Sequence, residues 1–206
     1  NGRGDYPAAM SAVLHMEEKI GPSADSDNLA SGIAGNMVQT ALSKRQWARA
    51  HELLDTWRLR LGDSANGLAV SLFRLESQDL LRTQGWGALR DWLGAQGGDG
   101  RIPPSELAAA WEMGITQELA RITRQGDWET GLVFLDALPD VQRRLPAVTS
   151  TRNVVEHNIV AAYHNRFAAL ANARKFDEAR VVLDEAQARF PRDNLLRQDR
   201  AALDRH

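Results

Sequence analysis

No cysteine occurs in the 206 residues, which removes disulfides, thiolate nucleophiles and thiolate metal sites together. The absence does not choose a compartment, since periplasm and cytosol both accept such a chain. No apolar run approaches the roughly 20 residues of a membrane span, so no membrane insertion of this segment is expected. The stretch around Ala8 to Leu14 is broken by polar residues and is no signal peptide. The chain opens on Asn1 rather than Met, which leaves room for a leader, an anchor or an upstream domain. A basic excess is also missing. The net charge of -2 argues against a general nucleic-acid binder.

Catalytic signatures are missing too. HExxH, G-x-S-x-G, the P-loop and the dinucleotide fingerprint do not occur. Among the histidines, His157 and His164 stand seven apart, too far along one helix to hold one ion unaided. Glu17 and Glu18 are sequence neighbours facing different directions, and are expected to be solvated. No cluster of nucleophile, base and orienting group is found, so the chain reads as non-catalytic, with no cofactor and no metal. Arg3-Gly4-Asp5 matches an adhesion tripeptide over a length that chance supplies.

What is present is 43% apolar and 25% charged residues, the balance of a folded globular chain. Richness in alanine and arginine suggests a bacterium of high genomic GC. Pro7 opens a helix at its favoured first position, carrying Met10, Val13, Leu14, Glu17 and Ile20 to Gly21-Pro22. The SADSDN that follows lacks the third oxygen ligand and the glycine of a calcium loop. Asp27 or Asn28 is expected to cap the next helix, about Leu29 to Ser43. A partner helix begins near Trp47, and a third, about Ala65 to Arg82, leads into Gly85-Trp86.

Gly94 to Pro104 is the clearest break, a loop of about a dozen residues. Its Gly97-Gly98-Asp99-Gly100 has no preceding strand and no GK[ST], and reads as a linker. Ser105 and Glu106 start a helix to about Arg124. Pro139 and Pro146 bracket a single helical turn. Thr149 to Thr151 is expected to cap a long helix through Ala173. A basic turn at Arg174-Lys175 then leads into Phe176, Ala179, Val182, Leu183, Ala186 and Phe190, an apolar face closed by Pro191. Asp193 to Asp204 is a last helix with a wet outer face.

The aromatic that opens each second helix recurs at Trp47, Trp86, Trp128 and Phe176, which are 39, 42 and 48 residues apart. Three places on stand Ala50, Leu89, Gly131 and Ala179, and seven places on stand Leu54, Leu93, Leu135 and Leu183. Such hairpins cannot bury their apolar faces alone and need neighbours of the same kind. The tryptophans at 47, 86, 92, 111 and 128 fall at core spacing; Trp128→Ala would cost about 3–5 kcal/mol if fully core.

QGDWETG at Gln125 to Gly131, RKFDEA at Arg174 to Ala179, and the run Ala179, Leu183, Ala186, Pro191 resemble the tetratricopeptide repeat, whose period is about 34 residues. The resemblance covers roughly Leu29 to Pro191. The sequence departs from the pattern at Leu119, where a small residue is preferred and Gly131 is expected to make room. It departs again at Glu76, where an apolar residue is expected, and at Gly62 and Gly94 in place of the terminating proline. The resemblance implies an all-α fold, a right-handed alpha-alpha superhelix (a TPR-like solenoid) of about four helical hairpins. Residues 1–28 would be a tail and capping helix or half repeat, 29–191 the array and 192–206 a C-terminal cap.

Solenoids of this family hold peptide on a concave face built from the first helices. In the long helix Asn158, Asn165 and Asn172 recur every seven residues, with Ala162 and Ala169 between them. Carboxamides on one stripe match a peptide unit, which needs both a donor and an acceptor. Similar placing gives Asn36 and Gln39, then Arg74, Gln78 and Arg82, then Gln117 and Arg124. The arginines suit ligand carboxylates. The same residues equally suit a plain solvated face. The expectation is a protein-interaction module for a protein or peptide partner, acidic where the arginines meet it; the alternative is an accessory domain of a larger enzyme or membrane-anchored assembly factor.

Overall fold

The computed structural model describes residues 5–96 and 101–205. Among them every regular element is a helix: α1 (Tyr6–Ile20), α2 (Ala24–Ser43), α3 (Trp47–Leu61), α4 (Ser64–Gln96), α5 (Pro104–Thr123), α6 (Trp128–Asp136), α7 (Asp140–Arg143), α8 (Pro146–Asn172), α9 (Phe176–Arg189) and α10 (Asn194–Leu203). Contacts divide the chain into two compact units, Asn1–Gly114 and Ile115–His206.

Helices begin at Trp47, Trp128 and Phe176, and Trp86 follows a break inside α4. Each of these aromatics is half-buried, while the residues three and seven places on are buried in all four cases. The hairpin turns are made by left-handed residues: Arg45 (φ 53°), Gly85 (φ 82°), Gly126 (φ 80°) and Arg174 (φ 59°). At Arg45 and Arg174 the closure is the same. The amide of Arg45 donates to the Leu42 carbonyl and that of Gln46 to Ala41; Arg174 donates to Ala171 and Lys175 to Leu170, all at 2.9–3.0 Å. This is the Schellman closure, which satisfies helix-end carbonyls and is usually built on glycine.

α4 is not one rod. Gly85 has ψ −172°, a conformation open essentially to glycine alone, and the chain folds back there into arms 64–84 and 86–96. The Phe73 and Trp92 rings stack with centroids 5.2 Å apart, where an unbroken helix would separate them by about 28 Å.

In the first unit α1 packs on α2, α2 on α3, α3 on α4 and α2 on α4. Its core runs from Met10 and Val13 through Ala30, Val38, Leu53 and Leu72. In the second, α6 packs on α8, α8 on α9, and α10 on both α8 and α9, around Val160, Phe167, Leu183 and Leu196. Leu119 meets Gly131 as expected: a Cβ on Gly131 would lie 3.1 Å from Leu119 Cδ1 and 2.8 Å from Thr123 Cγ2.

Several expectations are corrected. α2 starts at Ala24 because Ser23, not Asp27 or Asn28, is its cap, in a reciprocal box with Ser26. α8 starts at Pro146, since Leu145 is extended and proline suits a first turn. Thr149 and Thr151 therefore lie inside α8, and Thr151 Oγ1 donates to the Ala147 carbonyl at 2.7 Å. The second arm of α4 continues past Gly94 to Gln96. Gly97-Gly98-Asp99-Gly100 and Arg3-Gly4 lie outside the described residues, while Asp5 caps α1 by accepting from the Ala8 amide.

Glu17 is not solvated. Its carboxylate takes both Nη atoms of Arg60, at 2.7 and 2.6 Å, and the Ser26 hydroxyl at 2.7 Å. Ile20, placed on the inner stripe of α1, is 78% exposed. Of the five tryptophans expected in the core, only Trp111 is buried, at 9% exposure; the other four are half-buried. Glu76, the misfit in the apolar pattern, is explained by a cross-helix pair with His51, 2.8 Å to Nε2.

Candidate functional site

Arg74, Gln78 and Arg82 stand four residues apart on the first arm of α4, so they share one stripe, and all three are exposed. Arg74 does not wait for a ligand. Its Nε and Nη2 grip both oxygens of Glu106 at 2.6 and 2.5 Å. Glu106 is in place because Pro103-Pro104 starts α5 there, with the acidic residue in its first turn. The Arg74 guanidinium holds the Glu106 carboxyl below the usual carboxylate range.

Asp79, the residue after Gln78, collects two more cations. Arg82 Nη2 donates to it at 2.7 Å, Arg45 Nη1 at 2.5 Å and Trp47 Nε1 at 3.2 Å. Arg82 first, then Trp47 and Arg45, lower the Asp79 pKa. Across Arg45, Arg74, Arg82, Asp79 and Glu106 one positive charge is left over. Arg82 commits only one of its five N–H donors to a neighbour among the described residues.

Two shallow depressions flank this stripe and share Gln78. One, of about 270 Å³, is lined by Phe73, Arg74, Ser77, Glu106 and Met113. The other, of about 320 Å³, has Leu42, Trp47 and Leu75 beneath Arg45, Asp79 and Arg82. Together they form a track with an apolar floor, a carboxamide at its middle and guanidinium groups along it.

Asn36 and Gln39 are exposed on α2, on the strip that leads one turn later to Ser43 at the edge of the second depression. Neither lines a depression. Gln117 and Arg124 are exposed on the later half of α5 and at its end, and nothing gathers them with the others. In α8 Asn165 and Asn172 are exposed and Asn158 is half-buried. Asn158 already donates Nδ2 to the Val154 carbonyl one turn back, at 2.8 Å.

A depression of about 650 Å³ in the second unit uses another face of α8. Asn153, Glu156 and His157 line it, with Leu132 of α6 and Arg189 and Phe190 at the end of α9. Sequence reasoning missed Arg45, Trp47, Asp79 and Glu106 as members of the first site. They come from the α2–α3 turn and from three helices, and no spacing rule links residues 32 or 34 apart. Comparison of the chain with family models, curated proteins and solved structures finds no match.

Proposed function

We propose that this chain is a non-catalytic interaction module, a degenerate tetratricopeptide-like array of helical hairpins that binds an acidic peptide or an acidic segment of a protein. The array reading is supported by the four hairpins, by the contact of α2 with the first arm of the next hairpin, α4, and by the closing helix α10 packing on α8. The observation that carries the binding reading is the track along Arg74, Gln78 and Arg82. It has one positive charge in excess, spare guanidinium donors and an apolar floor at Leu42 and Leu75.

A peptide carboxylate meets Arg82 on its free N–H groups, and charge-assisted bonds of this kind are the strong ones. Gln78 offers a donor and an acceptor to the peptide backbone. Asn36 and Gln39 extend the same chemistry along α2, and Asn165 and Asn172 repeat it in the second unit.

Fluorescence anisotropy with acidic peptide pools tests this. Arg82→Ala is expected to weaken binding about tenfold, with Gln78→Ala and Asn165→Ala each weakening it less. Binding is expected to fall with added salt. Equal affinity in all variants would sink the proposal.

A further inference from the structure

A second pocket lies on a different face of the same arm, between α3 and the fold-back of α4. It encloses about 90 Å³, far below the roughly 300–1,000 Å³ of metabolite sites, so it suits a single ring or branched alkyl group. Leu54, Ala69, Leu72 and Ile102 line it together with the stacked Phe73 and Trp92 rings. A rim of ionisable groups surrounds this apolar interior: His51, Asp55, Arg58, Glu76 and Arg101.

The pairing at the rim is unequal. His51 Nε2 lies 2.8 Å from Glu76 Oε2, and Arg101 Nη1 donates to Asp55 Oδ1 at 3.3 Å. Both carboxylates are therefore already engaged by cations. The Arg58 guanidinium has no hydrogen-bond or ion-pair partner among the described residues, yet it stands at the pocket. An apolar slot beneath one uncommitted cation is complementary to a ligand with an apolar end and one negative charge.

We propose that this pocket binds an apolar monocarboxylate, with its ring or branched alkyl group between Phe73, Trp92, Leu54 and Leu72 and its carboxylate on Arg58. That chemistry is offered both by a free small acid and by the C-terminal residue of a peptide. The site shares no charged residue with the Arg74–Gln78–Arg82 track, so each proposal stands or falls separately.

A pH dependence follows from the rim. The hydrogen bond to Glu76 holds the His51 imidazole above its ordinary pKa, against the pull of burial. The charged groups facing it are Glu76 from α4, Asp55 on its own helix and Arg101 from the segment before α5. With His51 protonated the rim carries one positive charge in excess; once the proton leaves, the rim is neutral. Affinity for the carboxylate is therefore expected to fall as pH rises through the His51 transition.

The test is calorimetric titration of the full chain with phenylacetate, with its neutral counterpart phenylacetamide, and with a peptide ending in phenylalanine, free or amidated. Phenylacetate is expected to bind near pH 6 about tenfold more tightly than phenylacetamide, and Arg58→Gln to lose about the same factor. Ala69→Phe is expected to fill the slot and abolish binding. Tighter binding of the free-ended peptide than of phenylacetate assigns the peptide as the source, and the reverse assigns a free acid. No saturable binding of either carboxylate up to about millimolar concentration overturns the proposal, as does undiminished binding by Arg58→Gln. Arg58 is exposed, so that variant keeps the test sharp even if Ala69→Phe does not fold.

Discussion

Gly114 in α5 separates two effects that alanine substitutions usually confound. A Cβ there would stand 2.7 Å from Leu89 Cδ2 and 2.8 and 2.9 Å from Cζ3 and Cε3 of Trp86. The indole cannot simply retreat, because it packs edge-on against Trp111 with centroids 5.7 Å apart. Forcing one methyl into a filled core costs about 1–3 kcal/mol. Replacing glycine by alanine inside a helix returns about 0.8–1.0 kcal/mol, so Gly114→Ala is expected to destabilise by about 1 kcal/mol.

Gly32 in α2 has nothing within 4 Å of its Cβ position. Gly32→Ala collects the same propensity gain with no collision, and is expected to stabilise by about 0.8–1.0 kcal/mol. Both glycines lie in the first compact unit, so one urea transition followed by circular dichroism reports on both. The opposite signs are the result that matters. A Gly114→Ala midpoint at or above that of Gly32→Ala would refute the packing.

Gly85→Ala meets no atom within 4 Å but must adopt a glycine-only backbone, and is expected to cost about 1–3 kcal/mol in the same denaturation assay; an unchanged midpoint would contradict the fold-back. Trp111→Ala is expected to cost about 3–5 kcal/mol as a buried tryptophan, and the half-buried Trp128→Ala about half of that; equal losses by calorimetry would count against the burial difference. Glu17 has its pKa lowered by Arg60 and then by Ser26, so its contribution is present above the ordinary glutamate pKa and is lost as pH falls through the folded value. Protection of the α1 amides, taken relative to their intrinsic exchange at each pH, is therefore expected to fall in acid in the wild type, and Glu17→Gln to flatten that dependence.

The hairpins were legible in the sequence because their signals are local. An aromatic, a small residue three places on and an apolar residue seven places on describe one helix face, and all eight follow-on positions are buried. Helix starts were less legible where two caps compete. Asp27 or Asn28 was the expected cap, yet Ser23 and Ser26 satisfy each other, while Asp27 is drawn to Arg60 at 2.6 Å.

The candidate site was half visible. Periodicity placed Arg74, Gln78 and Arg82 on one stripe, but whether an arginine is committed depends on a carboxylate from another helix. Glu106 and Asp79 are such carboxylates, and their pairing is a tertiary fact. The unequal rim around Arg58 was invisible for the same reason. His51 looked like an ordinary helix residue and Glu76 like a misfit in the apolar pattern until α3 and α4 brought them together.

The hairpin turns set the pace at which this chain can assemble. Arg45, Gly85 and the dipeptide Arg174-Lys175 are each the hinge of a turn of only a few residues between paired helices. Contacts between sequence neighbours spare most of the loop-closure entropy that slows distant pairing. Such a chain can zip one hairpin after another, and during synthesis each pair is able to close as soon as its second helix has left the ribosome.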